Sequence, residues 1–356
     1  MDAILLVGGQ GTRLRPLTIT TPKPMLPAAG VPFLTHQLAR ARAAGVDHAI
    51  LSTSFRAEVF EAYFGDGSAL GLDLEYVTEP EPLGTGGGIR NVADRLRGGP
   101  VLVFNGDVLT GLDLAALMAT HRASGADVTL HLTRVPDPRA FGLVPTDAYG
   151  RVTAFLEKPS TPAQIVTDQV NAGCYVFSPA VLQGIPAGRP VSVERETFPG
   201  LLAEGARLTG YVDTTYWLDV GTPAAFVTGC CDLVTGAAPS PAVPGPPGPA
   251  LVLAGAEVAG DAALTGGTTV GAGARVGAGA HLDASVLFED AVVGAGARLR
   301  RSVLGRGARV GAGTVLDGVV LGDGARVGAA NELLAGVRVW PGVEIADRAV
   351  RFSSDR

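Results

Sequence analysis

Cysteine is nearly absent: Cys174 and the adjacent pair Cys230 and Cys231 are the only three in 356 residues. Neighbouring cysteines rarely bridge each other, and no Cys-x-x-Cys or Cys/His spacing marks a zinc site. A disulfide scaffold is thereby excluded, and a reduced, cytoplasmic setting is expected. Long apolar runs are also missing. None approaches the ~20 residues of a membrane span, and the first, Ala3–Val7, ends in glycines, too short for a signal peptide. A soluble protein without a membrane partner is expected. Basic residues are outnumbered 28 to 34, giving a net charge of −6 and a pI near 5.4. That balance argues against nucleic acid as a partner, which needs a basic face to displace counterions. It leaves nucleotides open as small ligands, since a few local cations or a metal can hold them.

What is plentiful is apolar side chains, at 47%, with 50 glycines and 25 prolines. The length allows two domains, and the apolar share is enough to fill their cores. Over residues 1–236, Ala3–Val7, His48–Thr53, Leu72–Val77 and Val101–Phe104 have the character of short buried strands. Pro32–Ala44, Arg56–Phe64, Gly86–Leu96 and Leu112–Ser124 carry apolar residues at helical spacing. Alternation of this kind predicts βαβ units and an α/β fold with a mainly parallel sheet. Val128–Val135, Val152–Leu156, Val170–Phe177 and Leu208–Val212 are further strands with fewer helices between them, expected to extend the sheet.

Residues 237–250, "AAPSPAVPGPPGPA", hold six prolines, which remove donors and fix φ. They predict an extended, semi-rigid linker. Beyond it the period changes. Val252, Val258, Leu264, Val270, Val276, Leu282 and Phe288 fall six apart; one five-residue step leads to Val293 and Leu299. Leu321, Val327, Leu333, Val339 and Ile345 resume the spacing, with glycine or alanine around them. A period of six is the mark of a hexapeptide solenoid, and residues 251–356 resemble the left-handed parallel β-helix family. The lone histidine of this region, His281, argues against an acyltransferase, and a structural and oligomeric role is expected.

The most informative stretch is "LLVGGQGTRLRPLTITTPKPMLP", residues 5–27. A glycine turn after a strand suits a phosphate, but no Gly-Lys-Ser/Thr follows, and Leu14 stands where a dinucleotide fingerprint needs its third glycine. Backbone N–H groups around Gly9–Thr12 can face an anion. Arg13 adds a planar fork and Lys23, between Pro22 and Pro24, a point charge. Two cations beside such a turn suit a triphosphate better than a dinucleotide. Asp107, just past a strand end, and Asp219, in a later strand-to-helix turn, are each as readily an N-cap as a ligand when taken alone.

"GGQGTRLRPLT" and "PKPMLP" are followed in order by "EPLGTGGGI", "FNGDV", "FGLV", "FLEKP", "NAGCYVF" and "WLDVGTP". This series, spread over more than two hundred residues, resembles the sugar-1-phosphate nucleotidylyltransferase family. The resemblance implies a Rossmann-like, GT-A-like catalytic domain before the solenoid. It implies nucleotide contacts from Gly8, Gly9, Gly11, Thr12, Arg13, Lys23, Gly84, Thr85 and Asp107. It implies Mg²⁺ on Asp107 and Asp219, and a sugar-phosphate pocket of Gly142, Glu157, Lys158 and Asn171. With its hexapeptide tail, the layout most resembles the branch that passes a guanylyl group from GTP to mannose 1-phosphate. A glucose-1-phosphate enzyme using UTP, dTTP or ATP, and a catalytically silent regulatory subunit, are the alternatives. Glu79 and Glu81 are nearby acceptors for guanine. "GTGG" at 84–87, where the family commonly has Gly-Thr-Ala-Gly, and Phe141 in place of a frequent tyrosine are departures that remove no charge. The sugar phosphate is already an anion near neutral pH, so the implied transfer needs no general base.

Overall fold

The computed structural model describes residues 1–159 and 161–352, so the last four residues assigned to the solenoid, 353–356, lie outside it. The chain forms two compact units. Met1–Gly9 with Gln37–Trp217 make the first; Gln10–His36 with Leu218–Arg356 make the second. The signature loop thus groups with the solenoid, a partition that cuts across sequence order. Among the described residues no helix is long and apolar enough to cross a membrane.

The first unit is built on a nine-stranded sheet. Its strands are β1 (Asp2–Leu6), β2 (His48–Thr53), β3 (Asp73–Thr78), β4 (Val101–Asn105) and β5 (Val128–Arg134). They continue as β6 (Gly142–Leu143), β7 (Leu156–Glu157), β8 (Gln169–Phe177) and β9 (Leu208–Val212). Their order is β7-β6-β8-β4-β1-β2-β3, with β5 beside β8 and β9 beside β5. β1 runs parallel to β2 and β4, and β2 to β3, while β8 is antiparallel to β4 and β5. The parallel strands β1 and β2 are buried almost throughout, as expected where both faces of a sheet are covered. His48 lies inside that layer and joins neighbours, its ring nitrogens 3.1 Å from Asp2 Oδ1 and 3.2 Å from Glu75 Oε1.

Three large rings close the core. Phe198 packs 5.3 Å from Tyr175 and 6.0 Å from Phe177, all three fully buried. Burial of each contributes roughly 1.5–3 kcal/mol. The helix over Leu114–Ser124 starts where Asp113 accepts a 3.0 Å bond from the Ala116 amide and ends at Gly125, whose φ is 58°. The strand expected at Val152–Leu156 is broken. Arg151 bridges to Thr209, whereas Leu156 pairs with Leu143, so the segment changes partner and keeps no single ladder.

In the second unit, strands from Ala250 to Ile345 stack in three parallel sheets of six, six and five, consistent with the left-handed β-helix. Val270, Leu287, Leu304 and Leu321 stack 17 residues apart, while the first and last coils take 18. This corrects the six-residue series at Phe288. The inward residue is Leu287, and the short step lies between Leu282 and Leu287. Phe288 turns out of the prism and meets the ring of Phe226 edge-on at 6.3 Å, on the helix Pro223–Thr235. Glycines sit where coils touch: a Cβ on Gly294 would lie 2.6 Å from the amide nitrogen of Ala312.

The proline-rich segment is folded back rather than extended. Its amides at Ala238 and Gly248 donate to Asp232 and Val234, at 2.9 and 3.0 Å. Those carbonyls belong to the last turn of the Pro223–Thr235 helix, where no helical partner exists for them. Ser240 adds a 2.7 Å hydrogen bond to His36 Nδ1.

Candidate active site

The residues singled out in the sequence divide between the two units. In the first, β1 and β4 are adjacent and parallel, with Leu6 opposite Asn105. Gly8–Gly9 and Gly106–Asp107 therefore emerge side by side at the carboxyl edge. The chain builds β2 and β3 to one side of β1 and then crosses to β4 on the other, which makes a topological switch point. Gly106 must lack a side chain: its amide donates to Leu6 O at 3.0 Å, and a Cβ would stand 2.6 Å from that oxygen. Gly9 has no such packing reason, because a Cβ there would meet nothing within 4 Å. Gly8 is tied down by Ser54, whose hydroxyl donates to its carbonyl.

The turn bearing Asp107 is held by Gln37, which the sequence reading missed. One amide nitrogen of Gln37 donates to the carbonyls of both Asn105 and Val108, at 2.9 and 2.8 Å. A lone glutamine on a helix has no local signal for this; only the packing of its helix against the strand end creates it.

The run 84–88 opens the helix Gly84–Val92. Gly84 has φ 70°, and a Cβ on it would lie 2.7 Å from Val191 O. The close neighbour of this glycine is protein backbone, which by itself gives a reason for glycine here. The Thr85 hydroxyl donates to Glu194 at 2.9 Å and accepts from the Val193 amide. Both oxygens of the buried Glu79 are engaged, one with Ser52 Oγ at 2.8 Å and one with the Leu83 amide at 2.9 Å. Glu79 is thus a bracket for the 80–83 turn. Glu81 is exposed.

Gly142, Glu157 and Lys158 are brought together at the β6–β7 edge. Glu157 pairs with Gly142, where a Cβ would come within 2.7 Å of the Glu157 carboxylate. Lys158 has a left-handed φ of 47°, uncommon for a side-chain-bearing residue. Successive strand residues point to opposite faces, yet this backbone lets Lys158 Nζ come within 3.8 Å of Glu157 Oε1. The Lys158 side chain remains 62% exposed. Asn171 lies at a bulge in β8, donating to the Tyr175 hydroxyl at 2.7 Å and accepting from the Gly173 amide. Trp217 closes this side, its indole N–H on Ala172 O at 3.0 Å and its ring edge-on to Phe141 at 5.4 Å.

In the second unit, Gly11 (φ 60°) starts a short 3₁₀ turn over Thr12–Leu14. Its carbonyl accepts from the Thr18 hydroxyl at 2.8 Å and from the Leu14 amide at 2.9 Å. A Cβ on Gly11 would stand 3.0 Å from Lys23 Cβ, so the turn packs directly on the buried lysine. Thr12 and Arg13 are exposed. The Arg13 guanidinium lies over Gly221, where a Cβ would be 2.7 Å from Nη2. Gly221 stands two residues beyond Asp219 and one before Thr222, which caps the Pro223–Thr235 helix. Arg13, Lys23 and Asp219 are thus organised within one unit.

All three cysteines are buried, and burial pushes the Cys174 thiol up, away from the thiolate form. The chemistry on offer is electrostatic: cations, carboxylates and glycine-lined backbone.

Comparison with known proteins gives the same direction. Residues 2–235 match the nucleotidyl transferase family model, and residues 247–352 match that of the GMPPB C-terminal domain. A mannose-1-phosphate guanylyltransferase of Mycobacterium tuberculosis is 60% identical over 356 residues, covering 100% of this chain and 98% of the relative. The catalytic subunit beta of the Drosophila pseudoobscura enzyme is 40% identical over 232 residues, 64% of this chain and 61% of that one. Among solved structures, HddC from Yersinia pseudotuberculosis, complexed with GMP-PN, superposes with a TM-score of 0.56 at 27% identity, over 64% of this chain and 97% of its own. The chain belongs to the nucleotidyl transferase family, among the mannose-1-phosphate guanylyltransferases.

Proposed function

We propose that the protein transfers the guanylyl group of GTP to mannose 1-phosphate, giving GDP-mannose and pyrophosphate. The observation that carries this reading is the 60% identity, from end to end, with a relative that bears that activity in its name. Arg13 and Lys23 take the triphosphate, Lys158 takes the phosphate of the acceptor, and Glu157 and Asn171 accept and donate hydrogen bonds to the sugar beside Gly142. Near the base, Gly84 and Thr85 offer backbone, because the Thr85 side chain is already committed to Glu194 and Val193.

Asp107 and Asp219 are the residues that would hold Mg²⁺. Their hard oxygens suit that ion, which keeps phosphate and water ligands instead of a full protein cage. When bound, the ion supplies positive charge against the α-phosphate. The chain's own contribution is alignment and charge neutralisation between two anions that repel each other.

The test is pyrophosphate release by the full chain with Mg²⁺, each common NTP and a panel of sugar 1-phosphates. GTP with mannose 1-phosphate should be fastest. Faster turnover of UTP or dTTP with glucose 1-phosphate would replace the reading, and no turnover with any pair would sink it. Asp107→Ala and Asp219→Ala should each abolish turnover; a normal rate removes that residue from the metal site.

A further inference from the structure

The solenoid grips the signature loop at three places, all within the second unit. Arg338, on the strand Arg338–Val339, donates through one guanidinium nitrogen to the carbonyls of Arg13 and Arg15, both at 2.9 Å. Asp323 accepts from the Thr20 hydroxyl at 3.1 Å with one oxygen and from the Arg306 amide at 2.9 Å with the other. Arg306 also reaches Thr21 Oγ1, at 3.3 Å. Successive coils thus hold both ends of the segment 13–21.

The Arg338 contact has a specific consequence. The carbonyls it takes lie at the end of the 3₁₀ turn Thr12–Leu14, where a short helix leaves acceptors without partners and a cation is favoured. Fixing the oxygens on either side of Leu14 fixes the backbone from which the Arg13 side chain departs. At its far end that side chain lies over Gly221. Arg13 is therefore aimed from two directions, by a solenoid arginine at its backbone and by a glycine surface at its guanidinium.

We propose that Arg338 is a positioning residue for nucleotidyl transfer, setting from the solenoid the conformation of residues 12–15 and through it the aim of Arg13. This gives the solenoid a part in the reaction beyond the structural and oligomeric role its repeat suggests. The inference rests on the reading of Arg13 as a triphosphate ligand. Misplacing such a group by about 1 Å costs on the order of a hundredfold in rate, so loss of one of its two supports should cost about ten- to a hundredfold.

The experiment compares the wild-type chain with Arg338→Ala, Arg338→Lys, Arg13→Ala, the Arg13→Ala/Arg338→Ala double variant, and Arg326→Ala. The last removes a solenoid arginine that pairs with Glu344, at 3.1 Å. Arg338→Ala should lower kcat/KM for GTP by about tenfold or more with an unchanged unfolding midpoint. Arg338→Lys should recover part of the loss, and Arg326→Ala should behave as wild type. In the Arg13→Ala background, removing Arg338 should add almost nothing. Independently of any substrate, hydrogen exchange at the amides of Leu14, Arg15 and Leu17 should quicken in Arg338→Ala, because their carbonyl partners lie in the same turn. Wild-type kinetics and exchange in Arg338→Ala would overturn the proposal, as would an equal loss with and without Arg13. Absence of wild-type turnover, or an inert Arg13→Ala change, would instead defeat the underlying reading while leaving the exchange result to judge the clamp.

Discussion

Gly221→Ala separates the fold from the function of the second unit. The residue has no left-handed φ, so alanine meets no backbone strain there. Its added Cβ would stand 2.7 Å from Arg13 Nη2 and 3.0 Å from Cζ, and 3.4 Å is where ordinary contact begins. The obstructing atoms are the far end of a flexible, exposed side chain, so the guanidinium yields by about 0.7 Å and the fold does not. Gly221 is buried, so the new methyl depends on that side chain giving way, and stability should change by about 1 kcal/mol or less. Catalysis is less forgiving, because a shift approaching 1 Å in a positioning group costs up to about a hundredfold. The expected loss in kcat/KM for GTP is about ten- to a hundredfold, or ~1.4–2.7 kcal/mol of transition-state stabilisation. The assay is steady-state pyrophosphate release beside a thermal melt of the same preparation. Because the effect passes through Arg13, Gly221→Ala should cost little in an Arg13→Ala background. Unchanged kinetics, or a rate loss matched by a large drop in the unfolding midpoint, would refute the reasoning.

Gly142→Ala places a Cβ 2.7 Å from the Glu157 carboxylate and, with that carboxylate taken as proposed for a sugar contact, should raise KM for mannose 1-phosphate about tenfold with KM for GTP unmoved. Equal changes in both constants would contradict the assignment of that edge to the sugar. Gln37→Leu strips the shared donor from the Asn105 and Val108 carbonyls, at ~1–3 kcal/mol for each acceptor left buried. A melt of the variant should fall by several degrees, and an unshifted midpoint would show that the Asp107 turn holds itself. Burial holds the His131 imidazole down at about 4 against the opposing pull of Asp213, whereas an unfolded histidine titrates near 6.5. The unfolded state alone takes the proton between those values. Stability is therefore full above about pH 6.5 and falls as pH drops towards 4, by on the order of 3 kcal/mol. Denaturant titrations from pH 7 to 4.5 should show that slope, and His131→Leu should reduce it, leaving the part due to His36 and His121, which burial also holds down; an unchanged slope refutes the assignment.

The sequence by itself determined the parts that depend on local pattern. Alternating apolar runs specified a βαβ sheet, and a six-residue period specified a solenoid, since each follows from how often a side chain returns to one face. The ordered motifs from Gly8 to Asp219 located the family and its chemistry. Tertiary structure decided what depends on distant segments meeting. Phe288 and Leu287 are adjacent and both apolar, so periodicity alone could not say which enters the prism. The helix Pro223–Thr235 decided it by offering Phe226 as a partner. Glu79 looked like a free acceptor until Ser52 and the Leu83 amide took both its oxygens. Gly84 belongs to a family motif, and only the fold shows the Val191 backbone packed against it, a structural reason for glycine there. The proline-rich segment looked extended because proline lacks a donor, yet its non-proline amides found the open carbonyls of a helix end. Arg338 had no motif at all. It stands 325 residues from Arg13, and only the stacking of the solenoid against the signature loop brings its guanidinium to those carbonyls. A hydrogen bond between such remote positions leaves no period, spacing or composition in the chain to announce it.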